Sequence, residues 1–98
     1  MGKIIWSAYA IEDLQDVFNF YFYTIENEAT ARKMIDGIQA TADKLINTII
    51  VHQQELDLNP EHRRIIYKHY KIIYEIAHKD IHILRIFDTR QDPRKLKV

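Results

Sequence analysis

The chain has no cysteine, and its 98 residues include only two glycines and two prolines. Without thiols, neither a disulfide nor a thiolate metal site can hold the fold, a composition compatible with a reducing cytosol. Neither Gly2 nor Gly37 sits between a strand and a helix, so phosphate-cradling glycine loops are excluded, as is a serine elbow with triad partners. No apolar run approaches the roughly 18 residues of a membrane span, and the N-terminus lacks a charged-then-apolar leader. The expectation is a soluble cytoplasmic protein that does not engage the membrane. Net charge is also lacking, but the zero hides a division. Residues 1–61 carry four bases against ten acids, and residues 62–98 carry ten bases against four acids. Such a split either makes a basic face that a polyanion senses or is neutralised inside the fold.

What is present is apolar, periodic sequence: 47% hydrophobic and 29% charged residues describe one globular domain over residues 1–98. Lys3–Trp6 is a short β-type run, and Ser7 offers an N-cap oxygen to a helix start. Ile11, Leu14, Phe18, Tyr21 and Ile25 then recur at three- and four-residue steps, with acids in the first turns where the helix dipole favours them. Asn27 and Glu28 mark a break and restart. Ala31, Ile35, Ile38, Ala42, Leu45, Ile46 and Ile49 carry a second helical stripe to about Gln54. Gly37 weakens that helix but permits close approach of the first one. Asp57, Asn59 and Pro60 read as the exit loop.

After Pro60 the period changes from 3.6 to 2. Arg64–Tyr67, Tyr70–Ile76 and Ile81–Phe87 read as three strands, joined at Lys68-His69 and Lys79-Asp80. The expected order is β-α-α-β-β-β, an α+β domain with a helical hairpin on one face of a small, mainly antiparallel sheet. The segment from about Asp92 reads as a basic, mobile tail.

If Tyr70, Ile72, Tyr74 and Ile76 face the helices, Lys71 faces the other way, with Arg90 just past the end of the neighbouring strand. Arg64, Lys68, Lys71, Arg85 and Arg90 can then form a basic cluster suited to phosphate, lysine as a point charge and arginine as a fork. The competing reading is a solvated sheet face whose cations pair with the acidic helices. The five histidines, His52, His62, His69, His78 and His82, show no helical ligand pair, so no metal or cofactor is expected. His62 and His69 remain as general-base candidates. Tyr9, Phe18, Tyr21 and Phe22 read as core rather than as a ligand box.

Together, "WSAYAIEDLQDVFNFY", "RRIIYKHYKIIYEI" and "IHILRIFDTRQDP" resemble the RelE/ParE family of bacterial toxins from type II toxin–antitoxin systems over almost the whole chain. The most specific part is Tyr70-Lys71-Ile72-Ile73-Tyr74 followed by a strand that ends in Thr89-Arg90. The resemblance implies a growth-inhibiting, plasmid-stabilising toxin neutralised by a cognate antitoxin. One branch of the family cuts mRNA in the ribosomal A site, and the other poisons DNA gyrase without being an enzyme. A third possibility is a family member that only binds its partner. By position, Lys71 and Arg90 correspond to catalytic basic residues of the nuclease branch, and Arg64 is a looser match. Lys68, Arg85, Arg94 and Lys95 are the accompanying RNA or phosphate contacts. Nuclease members often carry a tyrosine or histidine in the C-terminal segment, whereas Pro93–Val98 has no aromatic and no histidine.

Overall fold

The computed structural model describes residues 2–47, 53–54 and 62–96. Strand β1 (Ile4–Trp6) leads directly into helix α1 (Ala8–Asn19). Ser7 makes the corner: its hydroxyl oxygen accepts from the Ala10 amide at 3.0 Å and the hydroxyl donates to the Leu84 carbonyl at 2.8 Å. One side chain thus caps the helix and ties its start to the sheet. Because the helix begins at Ala8, Glu12 and Asp13 lie beyond its first turn, and their placement there is not a dipole effect.

A π-helical turn, Phe20–Thr24, continues α1, and the Ile25 amide donates to the Phe20 carbonyl at 3.1 Å. The wider turn inserts an extra residue and shifts the apolar stripe. Tyr21 consequently packs against the core, while Tyr23 is 69% exposed. Phe18 and Phe22 stack on each other with ring centroids 5.4 Å apart. Tyr9 is 66% exposed, so the expectation that it belongs to the core fails.

Asn27 caps helix α2 (Glu28–Asp43), its side chain accepting from the Thr30 amide at 3.0 Å. The buried Ala31, Met34, Ile38 and Ala42 realise the expected stripe. The helix stops earlier than its periodicity suggests: Lys44–Asn47 tighten into a 3₁₀ turn, and Gln53–Gln54 form a short strand, β2. Those two residues pair with Arg64 and Arg63, a ladder that a helix cannot join. Ile49, His52 and the exit-loop residues Asp57, Asn59 and Pro60 lie outside the described residues.

The sheet is completed by β3 (Arg63–Tyr67), β4 (Tyr70–Ala77) and β5 (Asp80–Asp88). Its order is β1-β5-β4-β3-β2, with β1 parallel to β5 and every other neighbour antiparallel. The α+β expectation therefore holds. The main core lies between the helices and one sheet face, where Tyr70, Ile72, Tyr74, Ile81, Ile83 and Ile86 meet Ala10, Val17, Met34, Ile38 and Ala42. Ile76 shares that face by alternation but is 45% exposed at the far end of β4. Gly37 does admit a close neighbour, though not α1: a methyl group there would run into the Tyr67 ring, so β3 packs an aromatic side chain directly on the α2 backbone. No described helix is long and apolar enough to cross a membrane.

Candidate functional site

The ladder between β4 and β5 slips once. Ile73 faces Arg85, but Tyr74 faces Ile83, leaving Leu84 as an extra residue. Such a bulge disturbs the alternation and re-aims the next side chain. Arg85 turns to α1 and donates from Nε and Nη2 to the Asp13 carboxylate at 2.7 and 2.9 Å. The Ile86 amide also donates to Asp13, at 2.9 Å. These bonds hold the Arg85 guanidinium still more firmly protonated than usual, and the Tyr9 ring lies 5.6 Å from its central carbon. Arg85, expected among the phosphate contacts, is thus fastened to the helical side.

Lys71 occupies the second face, as alternation requires, but it is only 8% exposed. Its register partner Phe87 joins Ile73, Leu84 and Leu96 in a second, smaller core. Leu96 arrives through a 3₁₀ turn, Pro93–Lys95, capped by Asp92. The segment read as a basic, mobile tail thus places one buried leucine, Leu96, on the face that carries Lys71. Arg64 lies opposite Ile73 on that same face, half-buried. Arg94 is held by Asp92 at 2.6 Å and has an almost fully exposed side chain. Lys68 sits in the β3–β4 turn at φ 53°, its ammonium 5.8 Å from the centre of the Tyr67 ring. Arg85, Arg90 and Lys95 line one cleft, whereas Lys71 and Arg64 lie on the second sheet face and Lys68 in the β3–β4 turn, so the predicted cations do not form a single cluster.

Arg90 has the most elaborate setting. Its backbone amide and Nε donate to Asp88 Oδ1 at 2.9 and 3.1 Å, and Nη2 donates to Oδ2 at 2.9 Å. The fork is fixed by its own neighbour, yet the side chain stays 57% exposed. These hydrogen bonds hold the Asp88 carboxyl below the usual carboxylate range. The preceding residue clamps the β3–β4 turn: the Thr89 amide and hydroxyl each donate to the His69 carbonyl at 2.7 Å.

His69 is thereby brought to the Arg90 end of the sheet. Its Nε2 lies 3.4 Å from the Tyr21 hydroxyl, and its ring leans on Tyr70 with centroids 4.2 Å apart. Burial, then the positive charge of Arg90, lowers the imidazole below its ordinary value of 6.5, so the ring is neutral at pH 7. Burial and a hydrogen bond to Tyr21 push the Tyr70 hydroxyl far up. Arg85, Arg90, Lys95 and Tyr70 line a cleft of about 620 Å³ together with the carboxylates Asp13, Asp16 and Asp88, and His69 lies outside that lining. The exposed Arg90 fork can hold an anion at the mouth of this cleft. The link between His69 and Arg90 escapes sequence reasoning, because β4 and β5 intervene in the chain. Among the described residues no group of His, Asp or Glu can hold a metal ion.

A family model described as the ParE toxin of the type II toxin–antitoxin system parDE matches residues 4–93. Among solved structures, the chromosomal ParDE toxin–antitoxin system from P. aeruginosa contains a chain similar to this one. It superimposes with a TM-score of 0.76 at 20% identity, over 88% of this chain and 94% of that one, and so shares its fold. No curated protein matches the sequence.

Proposed function

Because the chain belongs to the ParE toxin family of type II toxin–antitoxin systems, we propose that it is a growth-inhibiting toxin held in check by a cognate antitoxin and that it acts by cleaving mRNA on the ribosome. The meeting of Arg90 and His69 at one end of the sheet supports the nuclease reading. RNA cleavage through the 2′-hydroxyl needs charge stabilisation on the phosphorane and a group to take a proton. An exposed, pre-oriented arginine beside a neutral imidazole offers both. In this reading Arg90 is the phosphate-binding catalytic residue. Lys71 and Arg64 act from the sheet face on which Leu96 packs against Ile73 and Phe87, supporting the field of that face. Lys68, Lys95 and Arg94 supply long-range attraction to RNA. The antitoxin partner is supported by apolar surface on the helical hairpin, where Tyr9, Ile11 and Ile25 are each more than half exposed.

The second reading, a gyrase inhibitor that works by binding alone, is favoured by one observation. Lys71 is buried, and Arg85, Arg90 and Arg94 all have carboxylate partners within the chain. Growth of cells that express the isolated chain separates the two readings. Arg90→Ala is expected to abolish toxicity while antitoxin binding and melting temperature stay at wild-type values. Full toxicity of the variant, with supercoiling activity impaired, removes Arg90 from the mechanism and favours the gyrase target.

A further inference from the structure

The cleft beside Arg90 mixes charge of both signs around an apolar lining, a composition that suits a peptide. We propose that it seats a short acidic segment of the antitoxin, one carboxylate of that segment lying on Arg90 and Lys95. This seat deepens the antitoxin half of the proposed function and rests on that half alone, since an occupant there covers Arg90 whatever the toxin attacks.

Helix α1 brings Asp13 and Asp16 to the cleft, while β5 and the segment after it bring Asp88 and the cations Arg85, Arg90 and Lys95. Val17, Ile86 and Phe87, all nearly buried, supply apolar lining. Asp13 takes Arg85 and Asp88 takes Arg90. Asp88 engages only Nε and Nη2 of Arg90, so the guanidinium keeps further N–H groups for an acceptor, on a side chain that is 57% exposed. Lys95 is exposed too, and its backbone is held in place. Its amide donates to the Asp92 carbonyl at 2.9 Å, and Leu96 beside it is buried in the second core. A carboxylate suits this pair, set against the planar fork and drawn by the ammonium point charge.

Size and charge select peptide over nucleic acid. About 620 Å³ is the volume of a small-ligand site and takes a few residues of peptide. A phosphodiester strand carries a negative charge at every nucleotide, and here it meets the exposed Asp16 as well as Asp13 and Asp88. A peptide places its carboxylate at the cations alone and can turn a backbone N–H or a lysine to Asp16. The cleft also adjoins the apolar surface of the helical hairpin: the Tyr9 ring, 66% exposed, lies 5.6 Å from the central guanidinium carbon of Arg85. One antitoxin segment can therefore run from the hairpin past Tyr9 into the cleft.

The test is titration of the full chain, followed by amide NMR, with three probes. These are the capped peptide acetyl-Leu-Glu-Leu-Glu-amide, its counterpart acetyl-Leu-Gln-Leu-Gln-amide, and the trinucleotide UpUpU. The Glu peptide is expected to shift the Arg90, Gln91 and Lys95 amides and to bind about 10- to 100-fold more tightly than the Gln peptide, as a charge-assisted hydrogen bond requires. Arg90→Gln and Lys95→Gln are each expected to remove most of that difference. Lys95→Gln alters an exposed side chain outside the sheet and decides the matter should Arg90→Gln fail to fold. Equal binding of the two peptides, shifts confined to the hairpin or to the Lys71 face, or no binding at all overturns the proposal. So does UpUpU binding these amides more tightly than the Glu peptide, which assigns the cleft to nucleic acid. Hydrogen exchange of the chain bound to the antitoxin encoded beside it separates the two levels. A complex in which the Arg90, Gln91 and Lys95 amides exchange as in the free chain overturns the seat and leaves the antitoxin reading intact, whereas absence of any complex overturns both.

Discussion

Asp13 shows how one side chain can settle the fate of several others. Its carboxylate takes both arms of the Arg85 fork and the Ile86 amide beside the β5 bulge. Removing it takes these acceptor oxygens from a largely covered guanidinium and from a backbone donor. Asp13→Ala is therefore expected to cost about 2–3 kcal/mol in urea denaturation. Asp13→Ala with Arg85→Met is expected to cost less than Asp13→Ala alone, since no buried charge is stranded. Sequence reading recognised Arg85 as a cation but not its direction, because a bulge leaves no mark in a run that alternates as plainly as Ile81–Phe87. Arg90 was legible as the residue that ends the last strand, and its Asp88 partner sits two positions away. His69 was legible as one of two general-base candidates, beside His62, but not as a neighbour of Tyr21 and Tyr70.

At the scale of elements, the period change after Pro60 revealed the sheet, and the Asn27 break revealed the hairpin. The end of α2 was not visible, because Leu45 and Ile46 continue the apolar rhythm into a 3₁₀ turn where the backbone departs from it. Gly37 was readable as a close-approach site, but its neighbour was not: the helical pattern names the face, and only the packing names Tyr67. Gly37→Ala is expected to destabilise the chain by about 1–2 kcal/mol, overpacking against the ring outweighing the gain in helix propensity. Combining it with Tyr67→Leu, which withdraws the ring, is expected to recover the clash component. A lowered melting temperature for Gly37→Ala that persists unchanged in the double variant contradicts this account. The Leu96 strap was hidden for a simpler reason: a single leucine among Arg94, Lys95 and Lys97 has no periodicity to read.

Over the whole molecule, the acidic and basic halves interlock through Asp13 and Arg85, while Asp88–Arg90 and Asp92–Arg94 neutralise charge within the basic half. This gives stability a pH dependence with two windows. His69 has a lowered value in the folded chain, so below its ordinary 6.5 the unfolded chain binds its proton first. Stability from this group is full above pH 6.5 and is lost as pH falls toward the folded value. Asp88, also lowered, contributes stability that is present above its ordinary 3.8 and is lost as pH falls through its folded value. Urea midpoints against pH are thus expected to decline first below about 6.5 and again below about 4. His69→Gln removes the first decline and leaves the second.

The central claim is that the Arg90 end of the sheet cuts RNA, and mapping mRNA 5′ ends after a short pulse of expression tests it most directly. Codon-phased cuts bearing 5′-hydroxyl ends, present with the wild-type chain and absent with Arg90→Ala, are the result predicted. Intact mRNA in growth-arrested cells, with gyrase trapped on DNA, is the result that contradicts it.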